Sequence, residues 1–304
     1  MSVLSVQQLS KNYGAVRALQ QISFDVPSGS VFGILGPNGS GKTTLLGIVM
    51  DVLKATSGSF SWNGHPGAGS EQRKQIGTLL ETPNFYHYLS AQKNLEIAAA
   101  IKGRGKEDID RVLEIVNLTQ RKNSKFNTYS LGMKQRLAIG AALLGNPDIL
   151  VFDEPTNGLD PAGIAEIREL IKKLNHEGKT IIMASHILDE VEKVCTHVTI
   201  IQKGIMKTTG TVSEVLSASP DVSVIIEVSA DDLANLQQTL SVLSGVTEIK
   251  KQDTFLQLIC DEKVTPAMVN KYCFEKGILL NHLGMKRKSL ETRFLEITGN
   301  QSDR

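Results

Sequence analysis

Residues 36–44 read Gly-Pro-Asn-Gly-Ser-Gly-Lys-Thr-Thr, which fits the pattern GxxxxGK[ST]. Residues 30–35 before it (Ser-Val-Phe-Gly-Ile-Leu) predict a buried strand, and residues 42–53 predict a helix. The three glycines let the backbone turn successive N–H groups toward one point, where the positive end of the helix dipole also lies. This stretch therefore predicts a phosphate-binding loop between a strand and a helix.

The side chains of this loop indicate how a nucleotide is held. Lys42 is expected to reach the β- and γ-phosphates, and the Thr43 hydroxyl is expected to bind Mg²⁺. A glycine-rich turn that contains a lysine by chance would not require the strand before it and the helix after it. The predicted nucleotide-binding residues of the loop are Gly36, Pro37, Asn38, Gly39, Ser40, Gly41, Lys42, Thr43 and Thr44.

A second chemical signal lies in residues 149–155, which read Ile-Leu-Val-Phe-Asp-Glu-Pro. Two adjacent carboxylates at the end of a buried strand are costly unless a cation or a reacting group needs them. We therefore expect Asp153 to bind Mg²⁺ and Glu154 to act as the general base for an attacking water. The alternative is a solvated acidic turn after a strand.

The composition is that of an ordinary globular protein. The chain has 304 residues, of which 41% are hydrophobic and 21% charged, and its net charge is +1. This balance gives no general attraction to nucleic acid. The three cysteines have no metal-binding spacing and fit a reducing compartment. No apolar run approaches the roughly 20 residues of a membrane-spanning helix, so any channel is expected on another chain.

The order of apolar segments predicts an α/β fold. The alternation of strands and helices between residues 149 and 201 predicts a parallel sheet covered by helices, and residues 84–145 read as mostly helical. Further helices are predicted over 91–102, 106–116, 162–177 and 187–195, and strands over 3–9, 18–26, 149–152, 180–184 and 198–201. Residues 217–220 read as a linker. The order βαββαβ after it predicts a small ferredoxin-like α+β domain.

A further segment, residues 129–137, reads Tyr-Ser-Leu-Gly-Met-Lys-Gln-Arg-Leu and ends 16 residues before Asp153. Taken alone, Ser130 would be only a helix cap. In this position the segment resembles the signature loop of ATP-binding cassette (ABC) ATPases. The resemblance covers residues 1–216. It implies a P-loop NTPase core with an antiparallel β subdomain and a helical subdomain at about 84–145, followed by the accessory domain 221–304.

The resemblance also implies roles for single residues. Tyr13 matches the aromatic that stacks on adenine, although a tyrosine in a strand turn is also often a packing residue. Ser130 and Gly132 match the signature that contacts the γ-phosphate of ATP held by the opposite subunit. Asp160 ends a loop at the subunit contact, and His186 matches the histidine that contacts the γ-phosphate.

Two positions depart from the family pattern. Leu131 stands where the signature usually has glycine, and Glu81 stands where the family has glutamine. We expect Glu81 to ligate Mg²⁺ or water. The segment 76–86 around Glu81, together with Tyr-Ser-Leu-Gly-Met in the signature, resembles the bacitracin-resistance and lantibiotic-immunity subgroup. The alternative is that Glu81 is a neutral variation within a general cassette.

The resemblance implies an ATPase subunit that drives a separate membrane permease. We expect ATP and Mg²⁺ as ligands, a second identical ATPase subunit, no nucleic acid, and a position at the cytoplasmic face of the membrane. The expected substrate class is a peptide antibiotic, drug or lipid-like molecule that is exported. Two alternatives stay open: a soluble ABC ATPase that acts on a non-transport machine, and an ATP-dependent switch with negligible turnover.

Overall fold

The computed structural model describes residues 1–67, 69–80, 83–217, 223–261, 263–286 and 289–299. The chain divides into two compact units, Met1–Val212 and Ser213–Arg304. The division falls before residue 216, where the sequence predicts the end of the ATPase domain. In the part of the chain that the structure describes, no helix is long and apolar enough to cross a bilayer.

The first unit contains ten strands and seven α-helices among its described residues. The strands are β1 (Ser2–Tyr13), β2 (Val16–Pro27), β3 (Val31–Leu35), β4 (Ser57–Trp62), β5 (His65–Pro66), β6 (Ile76–Leu79), β7 (Ile149–Asp153), β8 (Thr180–Ser185), β9 (His197–Gln202) and β10 (Ile205–Thr211). The helices are α1 (Lys42–Val49), α2 (Ser70–Lys74), α3 (Ala91–Lys102), α4 (Ile109–Ile115), α5 (Leu131–Leu143), α6 (Pro161–His176) and α7 (Leu188–Val194).

The central sheet of this unit has six strands in the order β10-β9-β3-β8-β7-β6. All neighbouring strands are parallel except β10, which is antiparallel to β9. Leu35 pairs with Ser185 and Asp153 pairs with Ala184, so the carboxyl ends of β3, β8 and β7 lie side by side. Ligands of such sheets bind at this edge.

A smaller antiparallel sheet, in the order β2-β1-β4-β5, shares its core with the central sheet through α1. Leu45, Leu46 and Val49 of α1 are buried in one cluster with residues of both sheets. The indole Nε1 of buried Trp62 donates a hydrogen bond to the Val49 carbonyl oxygen at 2.8 Å. The helix that follows the phosphate loop is thus fixed at both ends, by the loop and by β4.

The mostly helical segment is built from α3, α4 and α5, which contact one another. Ser90 caps α3 by accepting a hydrogen bond from the Lys93 N–H. At the other end of α3, the Lys102 ammonium donates to the carbonyl oxygens of Ala141 and Ala142, at 2.8 and 3.1 Å. A lysine of α3 therefore holds the carboxyl end of α5.

The second unit is an antiparallel sheet with two helices between its strands. Its elements are α8 (Val212–Ser217), which begins at the last residue of the first unit, β11 (Ser223–Ala230), α9 (Leu233–Leu240), β12 (Val246–Lys251), β13 (Leu256–Asp261), α10 (Pro266–Glu275), β14 (Leu280–Lys286) and α11 (Leu290–Thr298). The sheet order is β12-β13-β11-β14. Buried residues of β11 and β13, such as Ile226 and Leu258, share a core with α9 and α10.

Some predicted boundaries are wrong. The helix predicted over 42–53 ends at Val49, because the chain turns at Asp51 (φ 58°) and the N–H groups of Val52 and Leu53 both bond to the Gly47 carbonyl. Helix α4 begins at Ile109, three residues later than predicted. Ser217, predicted as linker, ends helix α8. The rest of the predicted linker lies outside the described residues.

Candidate active site

The loop between β3 and α1 has the backbone that the glycine pattern predicts. Gly41 precedes the helix at φ 109°, and a Cβ built on it would lie 2.6 Å from the Ala18 carbonyl oxygen. A Cβ on Gly36 would lie 2.2 Å from the Ile201 carbonyl oxygen. Only glycine fits at these two positions, because neighbouring backbone occupies the space that a side chain would need.

The Lys42 side chain is buried within the loop. Its ammonium donates hydrogen bonds to the carbonyl oxygens of Gly36 and Pro37, at 2.8 and 3.2 Å. The same nitrogen lies 3.5 Å from Oε1 of Glu154. A positive charge therefore sits between the loop backbone and the carboxylate that the sequence predicts as general base.

Glu154 follows β7 in a conformation that L-residues rarely adopt, with φ 48°. Its N–H donates to the Ala184 carbonyl oxygen of the adjacent strand β8 at 3.0 Å. Its Oε2 lies 2.8 Å from Nδ1 of His186. Such a conformation costs of order 1–3 kcal/mol and is retained where surrounding contacts impose it, often at functional sites. Here it directs the carboxylate toward Lys42 and His186.

His186 is positioned by the turn that joins β8 to α7. The hydroxyl of buried Ser185 accepts a hydrogen bond from the Ile187 N–H at 3.0 Å, and the His186 N–H itself points to Oε2 of Glu154 at 3.4 Å. The structure thus brings together three predicted residues, Lys42, Glu154 and His186, although they are far apart in sequence.

The two described residues predicted to hold Mg²⁺ lie at the same edge of the sheet. Thr43 is in the first turn of α1, and buried Asp153 is the last residue of β7. Hydroxyl and carboxylate oxygens suit Mg²⁺, which keeps several waters and takes phosphate oxygens as further ligands. Two protein ligands are therefore sufficient for this ion, because water and phosphate oxygens complete its coordination. The described residues contain no group of three or more His, Cys, Asp or Glu that could hold a metal. Glu81, the third predicted ligand, lies outside the described residues.

A cleft of about 450 Å³ opens above the phosphate loop. It is lined by the loop itself, by Glu154, and by four residues that the sequence analysis missed, Val16, Arg17, Ala18 and Lys203. These come from β2 and from the turn between β9 and β10, and no motif marks them. Arg17 and Lys203 add two cations to the rim of the cleft, which favours an anionic ligand.

Tyr13 lies in the hairpin beside this cleft. It pairs with Val16 across the turn between β1 and β2, and 46% of its surface is exposed. The Lys11 ammonium lies 4.8 Å from the centre of its ring. An exposed aromatic ring next to a cleft residue is available to a planar ligand, which is compatible with the predicted adenine contact.

The predicted signature residues form a second, separate group. Ser130 caps α5 by accepting a hydrogen bond from the Met133 N–H at 3.3 Å, and Asp160 caps α6 by accepting from the Gly163 N–H at 2.9 Å. Leu131 Cδ2 lies 3.2 Å from the position of a Cβ built on Gly158, so the two segments are neighbours. None of the signature residues 130–132, nor Asp160, lines the cleft of its own chain.

Tyr129, the first residue of the signature segment 129–137, is buried and hydrogen-bonded. The Tyr129 hydroxyl donates to the Arg121 carbonyl oxygen at 2.7 Å. Burial raises the pKa of this phenol, and the charges of Arg121 and Arg136 oppose the shift without cancelling it. Tyr129 therefore stays neutral and holds the chain just before α5. Leu131, two residues later, is exposed.

Comparison with known proteins supports the same assignment. The family model described as ABC transporter matches residues 19–157. The chain is 38% identical over 305 residues to the uncharacterized ABC transporter ATP-binding protein YhcH of Bacillus subtilis, covering 98% of this chain and 96% of that protein. It is 33% identical over 302 residues to the bacitracin transport ATP-binding protein BcrA of Enterococcus faecalis, covering 98% and 96%. The predicted resemblance to ABC ATPases, with bacitracin-related relatives, is confirmed.

The chain is also similar to a solved ABC cassette that contains bound nucleotide. The ATP-binding cassette MJ0796, solved as a dimer in a post-hydrolysis state with ADP and Pi, is 27% identical to this chain. The match has a TM-score of 0.62 and covers 68% of this chain and 98% of that one. The chain therefore shares the fold of that cassette, whose structure holds ADP and Pi.

Proposed function

Because the chain belongs to the ABC transporter family of ATP-binding proteins, we propose that Lys42, Glu154 and His186 form the centre of its hydrolytic site. The chain is the ATP-binding and ATP-hydrolysing subunit of a transporter. The observation that carries the residue assignment is the Glu154 carboxylate, which lies 2.8 Å from His186 and 3.5 Å from Lys42 at the mouth of the phosphate loop.

In the proposed reaction, Glu154 accepts a proton from the water that attacks the γ-phosphorus, and ADP leaves. Lys42 and the loop N–H groups hold the phosphate oxygens. His186 orients the Glu154 carboxylate and contacts the γ-phosphate. A bound Mg²⁺, for which Thr43, Asp153 and Glu81 are the proposed ligands, neutralises charge on the phosphates. These roles require the three side chains that the structure brings together.

The test of the proposed base is Glu154→Gln, which keeps the size of the side chain and removes its basicity. We expect hydrolysis to fall by about 10²–10⁴-fold, the usual contribution of a general base, while ATP affinity is retained. Glu169→Gln is the matched control, because Glu169 is an exposed carboxylate on α6. Phosphate release at the parental rate in the Glu154 variant would show that another group is the base.

We propose that two copies of the chain pair head to tail, so that Ser130, Gly132 and Asp160 of one copy meet ATP held by the other. Tyr13 is the proposed adenine contact. Two observations support this arrangement: the signature segment lines no part of its own cleft, and it presents an exposed leucine, Leu131. The dimeric MJ0796 structure supports it by similarity.

The proposed partner is a membrane permease on a separate chain, so the working position is the inner face of the cell membrane. A groove of about 350 Å³ between α3 and the segment that follows Glu81 supports this proposal. Its lining includes Phe85, Tyr86, Ile97 and Ile101, and Ile101 is 82% exposed. Exposed apolar side chains around a groove are typical of a surface that binds another protein. We propose no role for nucleic acid.

The proposed cargo is a peptide antibiotic, drug or lipid-like molecule that is exported. The support is the similarity to a bacitracin transport protein along nearly the whole chain. It also favours transport over the alternative of a non-transport machine. The corresponding test is loss of resistance to such compounds when the gene is deleted. If deletion of the gene leaves resistance to these compounds unchanged, the transporter has another cargo.

We propose that residues 1–216 act as the ATPase domain, with a helical subdomain at about 84–145. Residues 221–304 are the proposed ferredoxin-like accessory domain. The βαββαβ order and the antiparallel sheet order β12-β13-β11-β14 support the latter. None of the cleft residues belongs to this unit, so its proposed role is regulatory or dimer-stabilising.

A further inference from the structure

Two helices that lead away from the candidate active site are joined by an ion pair. Arg168 of α6 donates through Nε to Oε2 of Glu190 at 2.9 Å, and through a terminal nitrogen to Oε1 at 3.1 Å. Glu190 belongs to α7, which begins two residues after His186, and α6 begins directly after Asp160. The pair therefore links the helix of the Asp160 loop to the helix of the histidine.

This pair differs from the other ion pairs of α6. The side chains of Arg168 and Glu190 are 22% and 9% exposed. The pairs that α6 makes through Glu166 and Glu169 have carboxylates that are 54% and 70% exposed. Water screens an exposed pair, whereas a shielded bidentate arginine–carboxylate pair fixes both distance and orientation. Among these pairs, Arg168–Glu190 therefore sets the geometry of its helices most firmly.

The geometry of α7 controls where His186 lies. Glu190 lies in the first turn of α7, four residues after His186, and the connection between them is short, with the Ile187 N–H bonded to the Ser185 hydroxyl. Below it, Val191 packs against β3 at Gly33. That apolar contact holds α7 against the sheet but does not prevent the helix from rotating about its axis. The two hydrogen bonds between Arg168 and Glu190 have a fixed geometry and therefore oppose such a rotation. Rotation would move the imidazole away from Glu154.

We propose that Arg168 and Glu190 are positioning residues that hold His186 against Glu154, an inference that rests on the proposed function of those two residues. Neither Arg168 nor Glu190 lines the cleft. They act through the 2.8 Å contact between Nδ1 of His186 and Oε2 of Glu154. A displacement of about 1 Å in such a contact lowers turnover by as much as about 10²-fold.

The test compares steady-state hydrolysis in Arg168→Lys and Glu190→Gln with that of the parent. Arg168→Lys keeps the positive charge opposite Glu190 but cannot donate two parallel hydrogen bonds to its carboxylate. Because the charge stays paired, we expect the variant to fold. We expect kcat to fall by about tenfold to a hundredfold while KM for ATP stays within about twofold, because the phosphate loop is untouched. Glu169→Gln, which removes the exposed pair to Lys172 on the same helix, is the matched control and should keep parental kcat.

A second measurement separates positioning from a general loss of stability. If Arg168 acts through His186, then Arg168→Lys has no further effect on kcat in a His186→Ala background. The exchanged pair, Arg168→Glu with Glu190→Arg, should recover part of the kcat that Arg168→Glu alone loses.

The outcomes distinguish the inference from its premise. Parental kcat in His186→Ala would overturn both the proposed role of His186 and the positioning role. A low kcat in His186→Ala, combined with parental kcat in Arg168→Lys and Glu190→Gln, would overturn the positioning role alone. If Arg168→Lys lowers kcat by the same factor in the parent and in the His186→Ala background, the positioning role is likewise overturned.

Discussion

Lys102 should make the first unit more stable as the pH rises from 8 to 10.5. Its ammonium lies under the carboxyl end of α5 and donates to carbonyl oxygens there. Burial, and secondarily the charge of Arg104, lower its pKa from 10.5 to about 8. Between pH 8 and pH 10.5 the unfolded chain therefore binds a proton that the folded chain has released. Stability due to Lys102 must rise with pH across this window.

The magnitude follows from the size of the shift. Each unit of pKa difference corresponds to about 1.4 kcal/mol, so the full shift corresponds to about 3 kcal/mol. Both forms of the side chain are partly populated at the two ends of this pH window, so not all of the full shift falls within it. We expect the contribution of Lys102 to the free energy of unfolding to increase by about 2–3 kcal/mol from pH 8 to pH 10.5.

The assay is urea unfolding at several pH values, followed by the fluorescence of Trp62, the only tryptophan. The parent is compared with Lys102→Met, which never carries the charge, and Lys102→Arg, which always carries it. Buried Tyr129 and Cys195, whose pKa values are raised by burial, lower stability at high pH in all three proteins. The difference between parent and variant therefore isolates Lys102. A difference that is flat or falling between pH 8 and pH 10.5 would refute the reasoning.

Three further predictions address the dimer, the second unit and the unusual glutamate. Mixing an inactive Ser130→Arg variant with an inactive Glu154→Gln variant should restore phosphate release, because a mixed dimer regains one intact composite site; no recovery would contradict the head-to-tail arrangement. A chain that ends after Ser219 should still bind a fluorescent ATP analogue while its dimerisation or coupling changes; loss of binding by a folded truncated chain would contradict an accessory role. Glu81→Gln should keep basal hydrolysis within about tenfold, because the attraction of a carboxylate to Mg²⁺ and its repulsion by phosphate partly cancel. It should weaken export in cells that carry the permease, because the same loop is expected to contact that partner. Unchanged export would mean that Glu81 has no special role.

The sequence predicts those parts of the site whose function is carried by contiguous residues. The phosphate loop and the pair Asp153–Glu154 are recognisable because backbone shape and strand burial are local properties. The contact of Lys42, Glu154 and His186 follows only indirectly, from the expectation that the carboxyl ends of parallel strands meet. That expectation needs the order β3-β8-β7, which no single segment determines.

Other features depend on tertiary contacts and have no sequence signal. Arg17 and Lys203 reach the cleft because β2 and the β9–β10 turn happen to lie beside the loop. Strand β10 was not predicted, since Ile205–Thr211 shows no strong apolar alternation and is held by its pairing with β9. The strained backbone of Glu154 is likewise imposed by the hydrogen bond to Ala184. Local propensity does not contain such contacts.

The link between fold and site can be tested at Trp62, which joins the antiparallel sheet to α1. Trp62→Phe leaves the Val49 carbonyl without its indole donor, at a cost of about 1–3 kcal/mol, and the smaller ring leaves a void that adds about 1 kcal/mol. We expect the free energy of unfolding of the first unit, measured by circular dichroism, to fall by about 2–4 kcal/mol. The Lys42 end of α1 lies about 10 Å away along the helix and is held independently by its bonds to Gly36 and Pro37. ATP affinity of the folded variant should therefore stay within about twofold of the parent. A variant of parental stability, or a folded variant that has lost ATP binding, would mean that the β4 contact does not act on α1 in this way.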